Sequence, residues 1–430
     1  MRNILLTILL LITISSWAQQ KLTLEGAIEL ALENNYGIKI ARGTQQIAEN
    51  NYSLGNAGFF PTITLDANQN NSRVNGEQIV GGDVRDIDNQ VNKSTTIGGN
   101  INWTLFDGTR MFVNYDILKS QNIQSQEALD FAIQTNIYNV ATNYYLAALE
   151  KERLKLLQSN LELSEERLAI AKDKYELGKG SKLEYLQAQV DFNTDQSNIL
   201  SQKQVLENQK LELVRQMNIK GDAQFELDNT LTFDADITLD NLLNAVETNK
   251  ELNVLERAKE IAELQEKAAK ADRLPNLSVF AGYNYSETQR AVGFSFESST
   301  TDLSYGFNAS VTLFNGFNIN RVIQNNKINK EIAELSYEQR MFDLETSIRQ
   351  QFLSYLNSIE LINIEEKNVA VAKENNDIAK ERYDIGLSNP VEYRESQTNL
   401  IAAETRKQNA EFSAKLAEVQ LKYLAGIRLK

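Results

Sequence analysis

The sequence predicts an α+β membrane protein built by internal duplication, with four membrane-spanning β-strands and two long antiparallel coiled-coil helical hairpins per chain. Three observations support this prediction. Motifs recur at an offset of 208 residues, as between positions 103 and 311. Each repeat contains a stretch of 69 residues, 109–177 and 317–385, that has neither Gly nor Pro. Each stretch follows a segment in which apolar and polar side chains alternate, as in a strand with two different faces.

The composition excludes several classes of function. The 430 residues include no Cys and no His, so a thiol nucleophile, a disulfide, an imidazole base and a Cys/His zinc site are all impossible. The formal net charge of −14 disfavours nucleic acid as a partner, because nucleic-acid binding needs a basic surface. No nucleophile motif, phosphate-binding loop or metal-ligand spacing occurs, so we expect neither an enzyme nor a cofactor or metal.

The N-terminus has the pattern of a secretory signal peptide, which we assign to residues 1–18. Arg2 precedes an apolar run, residues 4–14, that is too short to span a membrane as a helix. Ser16 and Ala18 supply the small side chains of a cleavage site, and the chain turns polar directly afterwards. The alternative is a short buried helix, which this abrupt change in polarity disfavours.

The first repeat covers residues 19–220 and begins with apolar residues at helical spacing, with Thr23 as the predicted N-cap. Pro61 ends this helical pattern, because proline cannot continue a helix. Two strands are then expected at about 61–72 and 95–106, joined by a loop rich in Gly, Asn and charged residues. The second face of the returning strand is polar, as in a strand that borders a water-filled lumen.

The second repeat covers residues 237–430 and follows a connecting segment at 221–236. Its strands are expected at about 275–286 and 303–314, again directly after a proline. Each expected strand has about 9–12 residues, the length that a tilted membrane-spanning strand needs. Four strands cannot close a barrel, and an open edge is not viable in lipid. Other copies of the chain must therefore complete the sheet, and three copies with four strands each would give 12.

Each stretch without Gly and Pro is expected to form a long coiled-coil helix. In the first repeat, apolar or aromatic residues recur every seven positions from Val140 to Tyr175. The same spacing, 208 positions later, leads to Tyr383. Each helix would stop at a glycine, and a second helix would return after a short turn. The turns, near 178–182 and 386–390, are thus the tips of two antiparallel hairpins.

Taken in order and in duplicate, these features resemble the TolC-type outer-membrane efflux proteins. The resemblance rests on the signal peptide, the duplication, the Phe-Phe-Pro and Leu-Pro strand starts, the Leu-Phe-Asp-Gly and Leu-Phe-Asn-Gly strand ends, and the two Tyr-x-x-Gly tips. It implies a homotrimer with a 12-stranded barrel in the outer membrane and a helical α-barrel in the periplasm. It also implies a passive exit duct of a tripartite efflux or type I secretion system, docked on a periplasmic adaptor and an inner-membrane pump.

The resemblance further implies a constriction at the periplasmic mouth of such a duct. Its residues are Tyr175, Glu184, Tyr383, Glu392 and Glu395. In a trimer each acidic position becomes a ring of three carboxylates, which favours cations. Some members latch this mouth with an Arg two residues after the tip Gly, where this chain has Gly180 and Ser388, so Arg394 is the substitute that we consider. The alternative interpretation is solvated helix surface for the carboxylates and seam packing for the tyrosines.

The tip turns are the expected adaptor-docking loops, because their small residues allow helix ends to approach closely. The docking residues are Gly178, Ser181, Gly386, Leu387 and Ser388. The alternative is that Gly merely ends each helix. Aromatic residues at the strand ends nearest the helices predict an aromatic belt at the membrane interface, or packing where barrel meets helices. The belt residues are Phe59, Phe60, Trp103, Phe106 and Phe314.

Two alternatives to the channel stay open from the sequence: a periplasmic adaptor and a structural coiled-coil protein of the envelope. An adaptor would carry one hairpin flanked by small β domains, whereas this chain has two hairpins and amphipathic strands. A soluble coiled-coil protein would need no detergent. The exported substrate is open among drugs, peptides, proteins and metal ions, because selectivity in the family lies mostly with the pump.

Overall fold

The computed structural model describes most of the chain. The described residues are 21–220, 225–228, 231–234, 237–290 and 296–429. The predicted signal peptide, residues 1–18, lies outside them, as does part of the predicted connecting segment, residues 221–236. The described residues form two compact units: a hairpin unit within 21–43, 127–252 and 339–429, and a sheet unit within 44–126 and 253–338. Each unit takes residues from both sequence repeats, so the repeat boundary does not separate the units.

The long elements follow the same order in the two halves of the described chain. In chain order the elements are β1 (Lys21–Leu22), α1 (Leu24–Asn34), α2 (Tyr36–Asn51), α3 (Leu54–Ala57), β2 (Thr62–Val80), β3 (Asp83–Asp107), α4 (Arg110–Glu176), α5 (Lys182–Met217), β4 (Glu226–Leu227), α6 (Leu239–Ala245), α7 (Lys250–Ala271), β5 (Asn276–Arg290), β6 (Phe296–Ser310), α8 (Asn318–Asp384) and α9 (Pro390–Leu424). A short 3₁₀ helix, Val246–Thr248, lies between α6 and α7. None of the described helices is long and apolar enough to cross a membrane.

The sheet unit contains a four-stranded antiparallel sheet in the order β2-β3-β5-β6, so its edges are β2 and β6. Strand β3 of the first repeat pairs with β5 of the second, from Asp107 opposite Asn276 to Lys93 opposite Gln289. One side, the apolar face, carries large exposed side chains. Among them are Ile63, Leu65, Trp103, Tyr283, Leu303, Tyr305 and Phe307. The other side, the polar face, consists mainly of Asn, Ser and Thr, as the alternating pattern predicts.

The first strand pair is longer than the sequence predicts. Residues 73–93 were expected to form a loop, but β2 and β3 stay paired through them up to a turn at 81–82. Gly and charged residues in this segment favoured a loop, yet a two-stranded ribbon satisfies its own backbone hydrogen bonds whatever its side chains are. Strand β5 also runs past its predicted end, to Arg290, and β6 stops at Ser310 rather than 314 because its partner begins at Asn276.

Both long helices end at a glycine in the left-handed conformation, Gly178 with φ of 71° and Gly386 with φ of 78°. Glycine has no Cβ and therefore adopts this conformation without strain. The returning helices begin at side-chain caps. The Ser181 hydroxyl accepts a hydrogen bond from the backbone N–H of Glu184 at 3.1 Å, and Asn389 Oδ1 accepts one from Glu392 at 2.9 Å. These caps fix the directions in which α5 and α9 leave the tips.

The apolar core of the hairpin unit lies beside a small parallel pair, β1 with β4. The Tyr144 hydroxyl reaches the main chain next to both strands and lies 2.8 Å from the carbonyl oxygens of Leu22 and of Asp228. Val140 and Ala147, which lie on the predicted seven-residue seam, are fully buried here. Strand β4 belongs to the segment that the sequence predicts as an irregular connection, and the structure adds this pairing.

Candidate functional site

The tips of the two hairpins enclose a cavity of about 670 Å³. It lies between the α4–α5 hairpin and the α8–α9 hairpin, within the hairpin unit. Its walls combine apolar side chains with charged ones. They include Ala171, Leu183, Ala188 and Val391 on the apolar side and Arg167, Glu184, Asp191, Arg394 and Glu395 among the charged residues. The site therefore offers both an apolar surface and closely spaced charges of both signs.

Tyr383 is the residue that joins the two hairpins at this cavity. Its side chain is 1% exposed, and its hydroxyl donates a hydrogen bond to Glu184 Oε1 at 2.9 Å. Lys174 Nζ lies 3.8 Å from the centre of the Tyr383 ring and donates to the Tyr383 carbonyl oxygen at 2.8 Å. Burial, followed by the hydrogen bond to Glu184, raises the pKa of Tyr383. The hydroxyl therefore stays protonated and remains a donor.

The equivalent tyrosine of the first repeat has a different environment. Tyr175 is 40% exposed and stacks on Tyr185, with 5.9 Å between the ring centres. It does not line the tip cavity. The two tyrosines that the sequence treats as equivalent are thus unequal, and only Tyr383 links one hairpin to the other.

A buried charge cluster lies next to this link. Arg394 Nη1 on α9 lies 3.2 Å from Asp195 Oδ2 on α5, and Arg167 Nη2 on α4 lies 2.8 Å from Asp191 Oδ2. Ser164 also donates a hydrogen bond to Asp195. Burial, followed by repulsion from Arg394, lowers the pKa of Arg167, while Asp191 acts in the opposite direction. The cluster ties α9 to the other hairpin by charge-assisted hydrogen bonds.

The structure brings some of the predicted mouth residues together and separates others. Glu184, Tyr383 and Glu395 line the same cavity, together with Ser181 of the predicted docking set. Glu392 lies on the surface, where its carboxylate accepts a hydrogen bond from Ser388 at 2.7 Å. The remaining predicted docking residues are exposed around the turns. These are Gly178, Gly386 and Leu387.

Sequence reasoning missed three charges of the cluster, the buried Arg167 and Asp195 and the half-buried Asp191. One signal was available, because Asp195 follows the buried Ala188 by seven residues and thus lies at seam spacing. A carboxylate at such a position requires a partner. In the described part of the chain, no group of three or more acidic residues is arranged to hold a metal ion.

The predicted aromatic belt lies in the sheet unit. Trp103 Nε1 donates a hydrogen bond to the carbonyl oxygen of Phe59 at 2.9 Å, while Phe60 and Phe314 are largely exposed and Phe106 is half-buried. Two aromatic residues join them that were not predicted. Phe112 packs edge-on against Phe59 with 5.0 Å between ring centres, and Phe317 packs likewise against Phe314 at 5.3 Å.

The sequence matches the family model of the outer membrane efflux protein over residues 27–218 and 242–427. The chain belongs to the outer membrane efflux protein family. It is therefore an outer-membrane efflux channel that extends into the periplasm, and the predicted family, fold class, function and location are confirmed. The family consists of channel proteins, and the match gives no support to the alternative of a periplasmic adaptor.

Curated and solved relatives agree with this assignment to the efflux family. The chain is 23% identical over 414 residues to the solvent efflux pump outer membrane protein SrpC of Pseudomonas putida, covering 93% of this chain and 84% of that protein. The outer membrane protein VceC of Vibrio cholerae superposes with a TM-score of 0.77 at 18% identity, covering 95% of this chain and 97% of that chain. The CmeC outer membrane channel of Campylobacter jejuni has a TM-score of 0.76 at 20% identity, with coverage of 94% and 85%.

Proposed function

We propose that three copies of this efflux channel close a 12-stranded barrel and a helical tunnel, which together act as a passive exit duct. The observation that carries the proposal is the open sheet. Its edge strands β2 and β6 have no further partner among the described strands, and its apolar face exposes Leu65, Tyr305 and Phe307. Unpaired backbone groups in a lipid environment cost several kcal/mol each, by order of magnitude, so pairing between copies is required.

The helices support the same assembly. On α8, Ile364, Val371 and Ile378 recur every seven residues and are 47%, 67% and 51% exposed. They form a second stripe beside the buried seam that contains Tyr383. Leu183 and Val190 on α5 are exposed at the same spacing. Two exposed stripes with coiled-coil spacing on one chain fit helices of a neighbouring copy, which would bury both.

The test is the mass of the mature protein extracted from outer membranes in mild detergent. Native mass spectrometry should give a particle of three chains, and chemical crosslinking should stop at a trimer band. A control variant that places lysines on the α8 stripe, Val371→Lys with Ile378→Lys, should shift the mass towards the monomer. A wild-type protein that is monomeric, or that fractionates without detergent, would contradict the proposal.

The tip residues support a closable periplasmic mouth in this duct. Tyr383 with Glu184, and Arg394 with Asp195, hold the α8–α9 hairpin against its neighbour, so breaking these links would let the hairpin move. Arg394 thereby takes the place of the latch arginine that the tip turns lack. In a trimer, Glu395 and Glu392 would supply rings of carboxylates near the mouth that favour cations.

The exposed turns support docking of a periplasmic adaptor, which would connect the duct to an inner-membrane pump. Leu387 is 70% exposed at the tip, beside Gly386 and Ser388. A Cβ added at Gly386 would contact no atom within 4 Å, although its φ of 78° penalises other residues. Leu387→Asp is therefore the cleaner test, since it leaves the backbone unchanged. It should abolish adaptor crosslinking while the trimer stays intact, and unchanged crosslinking and efflux would refute the docking role.

A further inference from the structure

Three consecutive rows of residues cross the polar face of the sheet in register, and each row contains one glycine. In the order β2, β3, β5, β6 the rows are Asp66, Gly98, Asn284, Asp302; then Thr64, Asn100, Gly282, Ser304; then Thr62, Asn102, Phe280, Gly306. Each glycine is paired directly with a larger side chain of a neighbouring strand that lies over it. The pairs are Gly98 with Asn284, Gly282 with Asn100, and Gly306 with Phe280.

The partner side chains occupy the space directly above these glycines. A Cβ built on Gly98 would overlap Asn284 Oδ1 and lie 2.7 Å from its Cγ. A Cβ on Gly282 would lie 2.7 Å from Asn100 Oδ1. Ordinary van der Waals contact needs at least about 3.4 Å between such atoms, so each amide lies across its glycine instead of standing away from the sheet.

The third pair places an aromatic ring in the same arrangement. A Cβ on Gly306 would lie 3.0 Å from Phe280 Cζ and 3.1 Å from Cε1, so the ring lies along the wall. On the polar face Asn100 is also held by a hydrogen bond from its Nδ2 to Asp66 Oδ2 at 3.0 Å. The side chains thus lie flat over recesses that exist only because the wall lacks a Cβ at these positions.

Gly99 shows that the recess is specific to one face. It follows Gly98 on β3, but it belongs to the apolar face. A Cβ there would meet no atom closer than the Thr64 carbonyl oxygen, at 3.9 Å. A side chain at position 98 therefore forces Asn284 to move, whereas one at position 99 displaces nothing. If β3 needed glycine only for a flexible backbone, positions 98 and 99 would not differ in the space above them.

We propose that Gly98, Gly282 and Gly306 are recesses that hold Asn284, Asn100 and Phe280 flat against the lumen wall and thereby set the bore of the β-barrel. The inference rests on the channel function and on the polar face lining the lumen. An alanine at a recess turns the partner side chain into the bore. The glycines then determine how large a solute passes the membrane part of the duct.

Because the chain has no Cys, a single engineered thiol can report on passage through the barrel. In the proposed duct the turn at 81–82, at the other end of β3 from the start of α4, faces the outside of the cell. Counted from this turn, Asn102→Cys places the reporter two rows beyond the row of Gly98, and Ser94→Cys places it two rows before that row. Cells are treated from outside with a small maleimide or with a polyethylene glycol maleimide. Gly98→Ala should slow labelling at position 102 severalfold for the large reagent only. Labelling at position 94 should be unchanged.

Two controls separate the recess from a structural effect of the substitution. Gly99→Ala should leave labelling at position 102 unchanged, and adding Asn284→Ala to Gly98→Ala should restore the rate for the large reagent. If Gly98→Ala does not insert in the membrane, Gly282→Ala takes its place and is read by the same reporter at position 102. Adding Asn100→Ala to Gly282→Ala should then restore the labelling rate for the large reagent.

The inference is overturned if inserted Gly98→Ala trimers label at the original rate, or if Asn284→Ala fails to restore a lowered rate. One further outcome would show instead that the assumption about the polar face is wrong. If even the small maleimide cannot reach position 102 in the variant that carries the reporter alone, the polar face does not line a lumen. The channel assignment of that face then fails together with the recess.

Discussion

One buried hydroxyl contributes a link between the two hairpins at the tip cavity. The Tyr383 hydroxyl donates to Glu184, and Lys174 lies over the face of the same ring. Tyr383 is buried and Glu184 is half-buried, so a missing donor leaves this carboxylate without its partner at the tip. At the residue scale this link depends on one side chain, and it stands beside the separate link of Arg394 to Asp195.

Tyr383→Phe should weaken closure of the mouth, because it removes this hydrogen bond and preserves the ring packing. We expect a higher single-channel conductance in planar bilayers and a loss of stability of about 1.5–3 kcal/mol, the range for a hydrogen bond to a charged group. Tyr175→Phe is the matched control, since the exposed Tyr175 makes no such bond across the hairpins. Equal conductance in the two variants would contradict a latch at Tyr383.

At this scale the sequence predicts residue types better than environments. The repeated Tyr-x-x-Gly motif finds Tyr175 and Tyr383, but it cannot tell which one is buried. Tyr383 is buried with Ala379 and Tyr393, next to Ile170 of the other repeat, and its hydroxyl meets Glu184. A single sequence does not show that Ile170 and Glu184 meet Tyr383 and not Tyr175. Of the Arg394–Asp195 pair, the sequence predicts only Arg394, because only the arginine follows a recognisable tip.

Among the elements, the short pair of β1 and β4 depends on a tyrosine of α4. The Tyr144 hydroxyl lies within hydrogen-bonding distance of the main chain beside each strand, at the carbonyl oxygens of Leu22 and Asp228, which share its one donor hydrogen, and Tyr144 belongs to the apolar core of the hairpin unit. Two residues per strand form too small a sheet to be stable alone. The hydroxyl therefore fixes both strands on the helix.

This arrangement predicts sensitivity to alkaline pH. Burial raises the pKa of Tyr144 from its ordinary value of 10.0 to about 12. The folded state then keeps a proton that the unfolded chain releases, so the stability that Tyr144 contributes is fully present below pH 10 and is lost as pH rises through 12. Melting temperatures between pH 9 and about 12 should fall less steeply for Tyr144→Phe than for the wild type. Tyr36→Phe, at an exposed position, should follow the wild-type slope, and an unchanged slope in Tyr144→Phe would contradict the prediction.

The long elements were predictable and the ends of the strands were not. Helices α4 and α8 lie within the stretches that lack Gly and Pro, because nothing in those stretches interrupts a helix. The outer part of the β2–β3 ribbon, residues 73–93, was predicted as a loop, since alternation is the signal for a strand with one buried face. A ribbon with solvent on both faces has no such alternation, and its pairing is set by the backbone.

For the whole molecule, the surface of one chain is incomplete by itself. The sheet exposes its apolar face and two edges, and α8 exposes a seven-residue stripe. These features are explained by assembly, in which equivalent acidic residues of each copy would meet around an axis. A carboxylate that is ordinary on one chain then becomes part of a charged ring.

Glu392→Gln combined with Glu395→Gln should lower the cation selectivity of the channel. The substitution keeps the size of each side chain and removes charge from every proposed ring, so the reversal potential in a salt gradient should move towards zero. Glu29→Gln with Glu33→Gln is the control, because it removes as many exposed charges from α1, away from the tips. A reversal potential that stays at the wild-type value would exclude these rings as the selectivity element.

Beyond the pairing of Lys93 with Gln289, β2 and β3 pair only with each other among the described strands. The register between β3 and β5 does not involve the residues near the turn at 81–82. Changes in the length and charge of this outer part of the β2–β3 pair should therefore leave the register of the strands below it unaltered.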